Sequence, residues 1–200
     1  MVRADESAIS NYKFKISNLN ELEKVEDEGV QTAALTNYLL KKYPHKQWII
    51  DAGALQMMDT ALIPKNAILT PHHKEFEQLL QKGESGKREA GSNKVQIQEF
   101  AKKYNCMVLL KGEVDMVSDG EKIQEISGGN AGMTKGGTGD VLAGLIAALA
   151  CKNDPWVATI AGSYINKAAG ENLFGKVGYF FNASDLADEI PKVMKNLLVT

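Results

Sequence analysis

The spacing of hydrophobic positions predicts alternating strands and helices through most of the chain. Short apolar runs that end in polar residues predict buried parallel strands at 47–51, 66–70 and 106–110. Apolar residues at helical spacing predict helices at 30–43, 73–81 and 93–104, the first ending before Pro44. This alternation predicts a layered α/β fold, with functional loops at the carboxyl ends of the strands.

A β-hairpin is predicted after these elements. The segments 114–118 and 121–126 have strand-like patterns and are separated by Asp119-Gly120. This dipeptide is typical of a tight turn, because it tolerates positive φ angles.

The last third of the chain is predicted to be helical. Residues 141–150 are apolar on every face, which predicts a helix that is buried all round, with amphipathic helices at 155–174 and 184–198 packed outside it. Ser184 is the predicted N-cap of the last helix, and Pro191 is predicted to kink it.

Two segments carry weaker patterns. Residues 1–29 are polar and acidic, with an apolar series that supports an edge strand at most. The stretch Lys82 to Asn93 is rich in Gly, Ser and Lys and is predicted to be a surface loop. No internal repeat or interdomain linker is apparent, so residues 1–200 are predicted to form one domain.

Composition excludes several classes of protein. The 200 residues are 44% hydrophobic with a net charge of −2, which argues against a nucleic-acid or membrane-surface partner. The longest apolar stretch, Val141 to Cys151, is too short to cross a bilayer, and the N-terminus does not resemble a signal peptide, so a cytoplasmic location is expected. Cys106 and Cys151 lie in apolar runs and are predicted to pack in the core, and three histidines provide no zinc-ligand pattern.

The segment from Asn130 to Asp140 carries the most chemical information. Its glycines open directly into an apolar helix, so the backbone N–H groups of Gly137, Thr138 and Gly139 are predicted to be unpaired and to form an anion cradle. Asp140 beside this cradle is suited to accept a proton from a hydroxyl that attacks phosphorus. The alternative is that Asp140 only interacts favourably with the helix dipole.

Two common phosphate loops do not match this segment. A Walker loop needs Lys and then Ser or Thr after its last Gly, whereas Gly137 is followed by Thr138-Gly139. A dinucleotide fingerprint that starts at Gly137 has Leu142 where its third glycine belongs. The segment therefore predicts a different kind of phosphate loop.

Several blocks resemble a known family. They are Gly-Gly-Thr-Gly-Asp140 before an apolar helix, Leu110-Lys-Gly112 at a strand end, Leu69-Thr-Pro-His72-His-Lys-Glu75, Ile49-Ile-Asp-Ala-Gly-Ala-Leu55 and Ala183-Ser-Asp-Leu186. Together they resemble the ADP- or ATP-dependent NAD(P)H-hydrate dehydratase family of the ribokinase-like superfamily, over roughly residues 47–200. Gly53 stands where the family has a second Asp.

The resemblance implies a fold and an activity. It implies a ribokinase-like layered α/β/α fold with a mostly parallel sheet and a β-hairpin. It also implies dehydration of the (S)-hydrate of NADH or NADPH: the ring hydroxyl is phosphorylated from ADP (or ATP) with Mg²⁺, and phosphate is then lost. The alternative within enzymes is a small-molecule kinase of the same superfamily.

The resemblance also implies roles for individual residues. Asp140 would contact the hydrate and act as the base, with Gly137, Thr138 and Gly139 as the cradle. The nucleotide would be bound by Lys111, Gly112, Glu113, Val114, Asp115, Asn130 and Gly139. His72 and Glu75 would bind the hydrate, and no protein-held metal is implied.

Each of these residues also has a simpler interpretation. In this interpretation His72 and Glu75 belong to an ordinary helix start after Pro71, and Lys111 to a solvated strand end. Asn130 follows two glycines, where a turn residue is common. Lys135 is left unassigned.

The chain departs from the family near its start. Phe14 to Leu22 occupies the place of a Gly-Pro-Gly-Leu-Gly loop, and the long N-terminal half of family members is missing. Three hypotheses follow: a self-sufficient minimal enzyme, one half of a split enzyme, or a non-catalytic subunit. An incompletely covered sheet predicts a homo-oligomer or a complex with a chain that supplies the missing part.

Overall fold

The computed structural model describes residues 18–20, 26–83 and 92–199. Its strands are β1 (Ile49–Ile50), β2 (Ile68–Leu69), β3 (Met107–Leu110), β4 (Asp115–Ser118) and β5 (Ile123–Ile126). Its α-helices are α1 (Glu28–Lys42), α2 (Ala52–Met57), α3 (His73–Lys82), α4 (Asn93–Tyr104), α5 (Thr138–Ala150), α6 (Pro155–Val177) and α7 (Ala183–Leu198). Most of the predicted edge strand in 1–29, and most of the loop at 82–93, lie outside the described residues.

The described strands form one sheet in the order β1-β2-β3-β4-β5. The pairs β1–β2 and β2–β3 are parallel, whereas β4 is antiparallel to both β3 and β5. Only β4 therefore opposes the direction of the other strands, which confirms a mostly parallel sheet with a hairpin. The carboxyl ends of β1, β2, β3 and β5 consequently lie at one edge, together with the start of β4.

Helices cover both faces of this sheet. Along β3, Val108 and Leu110 belong to a buried cluster with residues of α3 and α4. Met107 and Leu109 point to the opposite face, where they pack with Ile146 of α5. Side chains alternate between the faces of a strand, and β3 is buried on both, as expected for the middle layer of an α/β/α fold.

The structure corrects the prediction that the helix at 141–150 is buried all round. Helix α5 buries Leu142 and Ile146 on one face, whereas Gly144 is exposed. Helix α6 is the central one, because ten of its 23 residues are buried. It approaches α5 so closely that a Cβ on Gly162 would lie 2.5 Å from Ile146 Cγ1. Half of residues 141–150 are Ala or Gly, which bury little area, so an apolar sequence here does not show that the whole helix is enclosed.

The N-cap prediction for the last helix was also wrong by two residues. Asn182, not Ser184, caps α7, because its Oδ1 accepts hydrogen bonds from the N–H groups of Ser184 and Asp185. Asn and Ser are nearly equivalent as N-caps, so the sequence does not separate them. The helix continues past Pro191 to Leu198.

The predicted hairpin is present, but its turn is longer than the predicted two-residue one. Strand pairing ends at Ser118 and Ile123, which leaves a four-residue connection. Within it only Gly120 has a positive φ, of 94°. Asp119 instead accepts hydrogen bonds at Oδ1 from the backbone N–H groups of Glu121 and Lys122, two and three residues further on.

The two cysteines have different environments. Cys106 is buried, as predicted, but Cys151 is exposed at the end of α5, so its predicted core position was wrong. Cys151 follows an apolar run, but it is the first residue after α5 and its side chain is exposed to solvent there. Among the described residues, no helix combines the length and apolarity needed to cross a membrane.

Candidate functional site

A cavity of about 760 Å³ lies at the carboxyl edge of the sheet. It is lined by residues that follow β2, β3 and β5, including His72, Lys111 and Gly128, and by the first turn of α5. This volume lies within the usual range for small-molecule sites. The topology therefore brings together segments that are far apart in the sequence, at the edge where ligands bind in parallel α/β folds.

Most of the predicted site residues line this cavity. Those that do are His72, Lys111, Gly112, Glu113, Asp115, Asn130, Thr138 and Gly139. Those that do not are Glu75, Val114, Gly137 and Asp140. Every predicted nucleotide-binding residue except Val114 therefore lines the cavity, whereas the predicted base, Asp140, does not.

Lys111 is held at the edge of the cavity by an ion pair. Its Nζ lies 2.7 Å from Asp51 Oδ1, and the two side chains are 20% and 12% exposed. Asp51 follows β1, and Lys111 is fixed beside β2 by a hydrogen bond from its N–H to the Pro71 carbonyl (2.8 Å). A Cβ on Gly139 would lie 3.5 Å from Lys111 Nζ and 3.6 Å from Asp51 Oδ2, so the N-terminus of α5 faces this pair directly.

The glycine loop supports only part of the predicted anion cradle. Gly137 has φ +88°, and a Cβ there would lie 2.9 Å from Ala183 Cβ, so glycine is needed for conformation and for space. The N–H of Thr138 donates to Lys135 O (3.3 Å), which corrects the prediction that it is free. The first helical bond runs from Val141 N–H to Gly137 O. Among the described residues, nothing accepts from the N–H groups of Gly137, Gly139 and Asp140, so these donors are free at the start of α5, where Gly139 lines the cavity.

The carboxylate of Asp140 is exposed in the first turn of α5. In the part of the chain that the structure describes, it forms no hydrogen bond or ion pair. An unpaired carboxylate next to two free N–H groups can accept a proton, and it also interacts favourably with the helix dipole.

His72 and Glu75 form a capping box at the start of α3. The N–H of His72 donates to Glu75 Oε2 (2.9 Å), and the N–H of Glu75 donates to His72 Nδ1 (3.2 Å). Glu75 is buried and also accepts from Gln56 Nε2, whereas the His72 side chain is 51% exposed. Glu75 therefore orients His72 and does not itself reach the cavity.

Asp115 and Lys167 clamp two walls of the cavity together. Lys167 Nζ donates to the carbonyls of Gly112, Glu113 and Gly128 at 3.0–3.2 Å and lies 3.4 Å from Asp115 Oδ1. Asp115 also accepts from the N–H of Gly112 (2.9 Å) and, among side chains, from Ser163 Oγ (2.8 Å). Both charged groups are buried, and their hydrogen bonds hold the segment after β3 against the segment after β5.

Asn130 and Lys135 stabilise the glycine loop. Asn130 accepts at Oδ1 from the N–H of Gly132 (2.9 Å) and donates from Nδ2 to Gly170 O (2.8 Å). Lys135 Nζ donates to Phe181 O (2.6 Å) and also to the carbonyl of Tyr179. These bonds attach the loop to α6 and to the α6–α7 connection.

Sequence reasoning missed several residues of the site. Asp51 lies in one of the family-like motifs but has no predicted role, and the cavity residues Gly129, Asn166 and Lys167 are not among the predicted site residues. A signal existed for the last two, since Asn-Lys interrupts an otherwise apolar stretch of α6. Among the described residues, no group of three or more His, Cys, Asp or Glu side chains could hold a metal ion.

Comparisons with family models and with known proteins point to the same family. A family model described as NAD(P)H-hydrate dehydratase matches residues 23–192, and so begins before position 47. The chain is 32% identical over 93% of its length to the bifunctional NAD(P)H-hydrate repair enzyme Nnr of Archaeoglobus fulgidus, and covers 39% of that protein. It is 37% identical over 73% of its length to the ADP-dependent (S)-NAD(P)H-hydrate dehydratase of Cenarchaeum symbiosum, and covers 51% of it.

Solved structures agree with this result. An ADP/ATP-dependent NAD(P)H-hydrate dehydratase from Bacillus subtilis, co-crystallised with ATP/Mg²⁺, superimposes with a TM-score of 0.60 at 27% identity, covering 75% of this chain and 56% of that one. A ribokinase-like superfamily protein from Enterococcus faecalis gives a TM-score of 0.69 at 25% identity, covering 86% and 60%.

The chain spans about two fifths to three fifths of the length of these four proteins. Its own residues nevertheless match the family model over most of their length, and its fold is ribokinase-like. The chain belongs to the NAD(P)H-hydrate dehydratase family.

Proposed function

We propose that this chain carries out the ADP-dependent dehydration of the (S)-hydrate of NADH or NADPH. The observation that carries the proposal is the convergence of the Asp51–Lys111 ion pair with the free N–H groups of Gly139 and Asp140 at one end of the cavity. This end offers a cation and two backbone donors to a phosphoryl group. The family relationship supports the choice of substrate.

The nucleotide would occupy the cavity between two backbone segments. The segment from Lys111 to Asp115 forms one wall, and the segment from Gly128 to Asn130 forms another. Lys111 would meet the phosphates, because its ammonium group is the partly exposed cation at the cavity edge. The Asp115–Lys167 clamp would keep the two walls at a fixed separation.

The hydrate would bind at the edge of the cavity that His72 lines, with Asp140 beside it in the first turn of α5. The ring hydroxyl would give its proton to the Asp140 carboxylate while its oxygen bonds to the terminal phosphorus of ADP. The bond between that phosphorus and the bridging oxygen breaks, and AMP leaves. Phosphate then leaves the ring carbon, and loss of a proton from the adjacent carbon restores the double bond of NAD(P)H.

Magnesium would enter the site as a complex with the nucleotide. In phosphoryl-transfer sites this ion is usually held by one or two carboxylates together with phosphate oxygens and water. Asp51 fits this need, since its Oδ2 lies beside Gly139 while Oδ1 is paired with Lys111. Bound Mg²⁺ would neutralise charge that develops on the phosphoryl oxygens.

The direct test is to incubate the chain with purified (S)-hydrate, ADP and Mg²⁺. We expect absorbance of the reduced cofactor to return while AMP and phosphate accumulate in equal amounts. A stable phosphorylated alcohol formed from another small molecule would instead show a kinase of this superfamily. Nucleotide binding without turnover of the hydrate would contradict the proposed activity for the chain by itself.

We further propose that the working form is an oligomer or a complex with a second polypeptide, located in the cytoplasm. Within the described residues β1 pairs only with β2, so its other edge is free to accept a strand. The relatives it matches are longer than this chain.

Light scattering on the purified protein, followed by the hydrate assay with and without a second polypeptide that carries the missing glycine-rich loop, tests this proposal. We expect an assembly larger than one chain, or activity that the partner raises. A monomer with full activity by itself would refute it.

A further inference from the structure

One peptide bond in the cavity wall is held at both of its polar ends by α6. Lys167 Nζ donates to the carbonyl of Gly128 (3.1 Å), and Glu171 Oε1 accepts from the N–H of Gly129 (3.1 Å). These two backbone groups belong to the same peptide unit, and both glycines line the cavity. Among the described residues no peptide bond is cis, so the C=O and N–H of this unit point in opposite directions. Lys167 and Glu171 therefore hold the peptide from opposite sides.

The two side chains that hold this peptide differ in their surroundings. Lys167 and Glu171 lie four residues apart on α6 and share one helix face. Lys167 is buried and also pairs with Asp115, so other contacts fix its position. Glu171 is exposed, and its carboxylate accepts from the N–H of Gly129. Replacing Glu171 therefore releases one end of the peptide without disturbing the buried charges.

Both residues of the peptide are glycines in conformations that other residues rarely adopt. The φ angle is +110° at Gly128 and +76° at Gly129. A Cβ on Gly128 would lie 2.9 Å from Glu171 Oε1, and a Cβ on Gly129 would lie 3.0 Å from Met133 Sδ, so glycine is needed for conformation and for space. Because neither residue has a Cβ, rotation of the peptide plane between them meets little steric resistance. The orientation of this peptide consequently depends on its two hydrogen bonds to α6.

The next residue of the wall is attached to the same helix. Asn130 Nδ2 donates to the carbonyl of Gly170 (2.8 Å), the residue before Glu171. Residues 128–130 are thus bound in order along one side of α6, which is the most buried helix of the described chain. A rotated Gly128–Gly129 peptide would turn its carbonyl away from Lys167 and change the surface that this wall presents to the cavity.

We propose that Glu171 is a positioning residue of the nucleotide site. By accepting from the N–H of Gly129, it holds the Gly128–Gly129 peptide in the orientation that ADP binds, while Lys167 holds the carbonyl. This inference rests on the proposed function, because it takes the cavity to be the nucleotide site.

The test compares Glu171→Ala with Glu171→Gln. Calorimetric titration with ADP and Mg²⁺ should show the Ala variant binding ADP about fivefold or more weakly than the wild type, because the nucleotide must then order a mobile peptide. The Gln variant keeps an acceptor oxygen at the same distance from the backbone and should bind within about twofold of the wild type. Both variants lose the same negative charge, so a difference between them reports the hydrogen bond and not long-range electrostatics.

Two further measurements distinguish positioning from a general effect on folding. The Gly129 N–H should exchange with deuterium faster in Glu171→Ala than in the wild type or Glu171→Gln, as followed by NMR. The urea midpoint should be nearly the same in all three, because Glu171 is exposed and Ala is a good helix former. Asn172→Ala is the matched control, since Asn172 is an exposed residue of the same helix outside the cavity, and it should leave both ADP affinity and Gly129 exchange unchanged.

Equal ADP affinity in the wild type and Glu171→Ala, or an equal loss in the Ala and Gln variants, would overturn the role of Glu171 and leave the proposed function intact. A loss of affinity that only accompanies a lower urea midpoint would also overturn it. Failure of the wild type to bind ADP would overturn the proposed function together with the nucleotide role of Glu171.

Discussion

Lys111 Nζ lies 2.7 Å from Asp51 Oδ1, and this ion pair joins the carboxyl ends of β3 and β1. The two strands are separated by β2, so the lysine and aspartate side chains together bridge roughly 10 Å between strand axes. The pair faces the N-terminus of α5, where a Cβ on Gly139 would nearly touch both charged groups. The ammonium group is therefore positioned by a carboxylate beside free backbone donors.

Replacing Lys111 with Met should weaken nucleotide binding. The variant keeps most of the apolar stem but removes the cation, so we expect ADP affinity to fall by about tenfold or more at moderate ionic strength. Calorimetric titration measures this. Lys195→Met, which removes an exposed lysine of α7, is the control. Unchanged affinity in Lys111→Met would mean that the phosphates lie elsewhere.

Replacing Asp140 with Asn separates catalysis from folding. Asn keeps the size of the side chain but accepts protons poorly, so turnover of the hydrate should fall by roughly a hundredfold or more. ADP affinity and stability should change little, because the carboxylate is exposed and unpaired among the described residues. A variant that loses stability but keeps its turnover would support a helix-dipole role for Asp140.

Replacing Lys167 with Met should destabilise the chain. The change leaves Asp115 buried without its cation and leaves the carbonyls of Gly112, Glu113 and Gly128 without their donor. Breaking a buried pair in this way typically costs about 3 kcal/mol or more. Urea unfolding monitored by circular dichroism measures the loss, and Lys195→Met should change stability by less than about 0.5 kcal/mol. A small effect of Lys167→Met would show that water replaces the ammonium.

Glu189 should contribute to the loss of stability in acid. Its side chain is 2% exposed and accepts from Lys176 (2.5 Å) and Lys192 (2.9 Å). The hydrogen bond from Lys176, with a smaller one from Lys192, holds the pKa of Glu189 below its usual value of 4.5, although burial opposes this shift. Because the folded pKa is lowered, the stabilisation is present above pH 4.5 and is lost as pH falls through the folded value.

Urea midpoints measured from pH 7 down to pH 3 test this effect. Glu189→Gln should be less stable than the wild type near neutral pH, and the difference should shrink in acid. Glu77→Gln, which changes an exposed carboxyl of α3, should follow the wild-type curve. Parallel curves for the wild type and Glu189→Gln would contradict the assignment.

The two thiols should differ in reactivity. Burial raises the pKa of the Cys106 thiol to about 12, whereas Cys151 is exposed. A thiol reagent at pH 8 should therefore modify one thiol per native chain and both after denaturation. Cys151→Ser should remove the fast reaction, and Cys106→Ala should retain it. Rapid modification of both thiols in the native chain would show that the core around Cys106 opens.

Local features of the sequence determined much of the fold. The periods of the hydrophobic pattern located the described strands and most helix bounds, because side-chain spacing follows the backbone repeat. The run from Gly136 to Asp140 predicted a phosphate loop, and its Gly137 has the positive φ that glycine permits. The placement of functional loops at strand ends also followed from alternating strands and helices.

The tertiary structure decided which of these features meet and which are enclosed. Hydrophobic periodicity shows that a face is apolar, but not what covers it, so it assigned the central position to α5 when α6 occupies it. The partners of Lys111 and Lys167 lie 60 and at least 39 residues away, respectively, and no local pattern encodes such distances. The amide oxygen of Asn166, which is buried without a partner among the described residues, is a further feature that only the packing of α6 reveals. The sequence alone therefore determined local conformation and the family motifs, whereas burial and long-range pairing depended on the packing of distant segments.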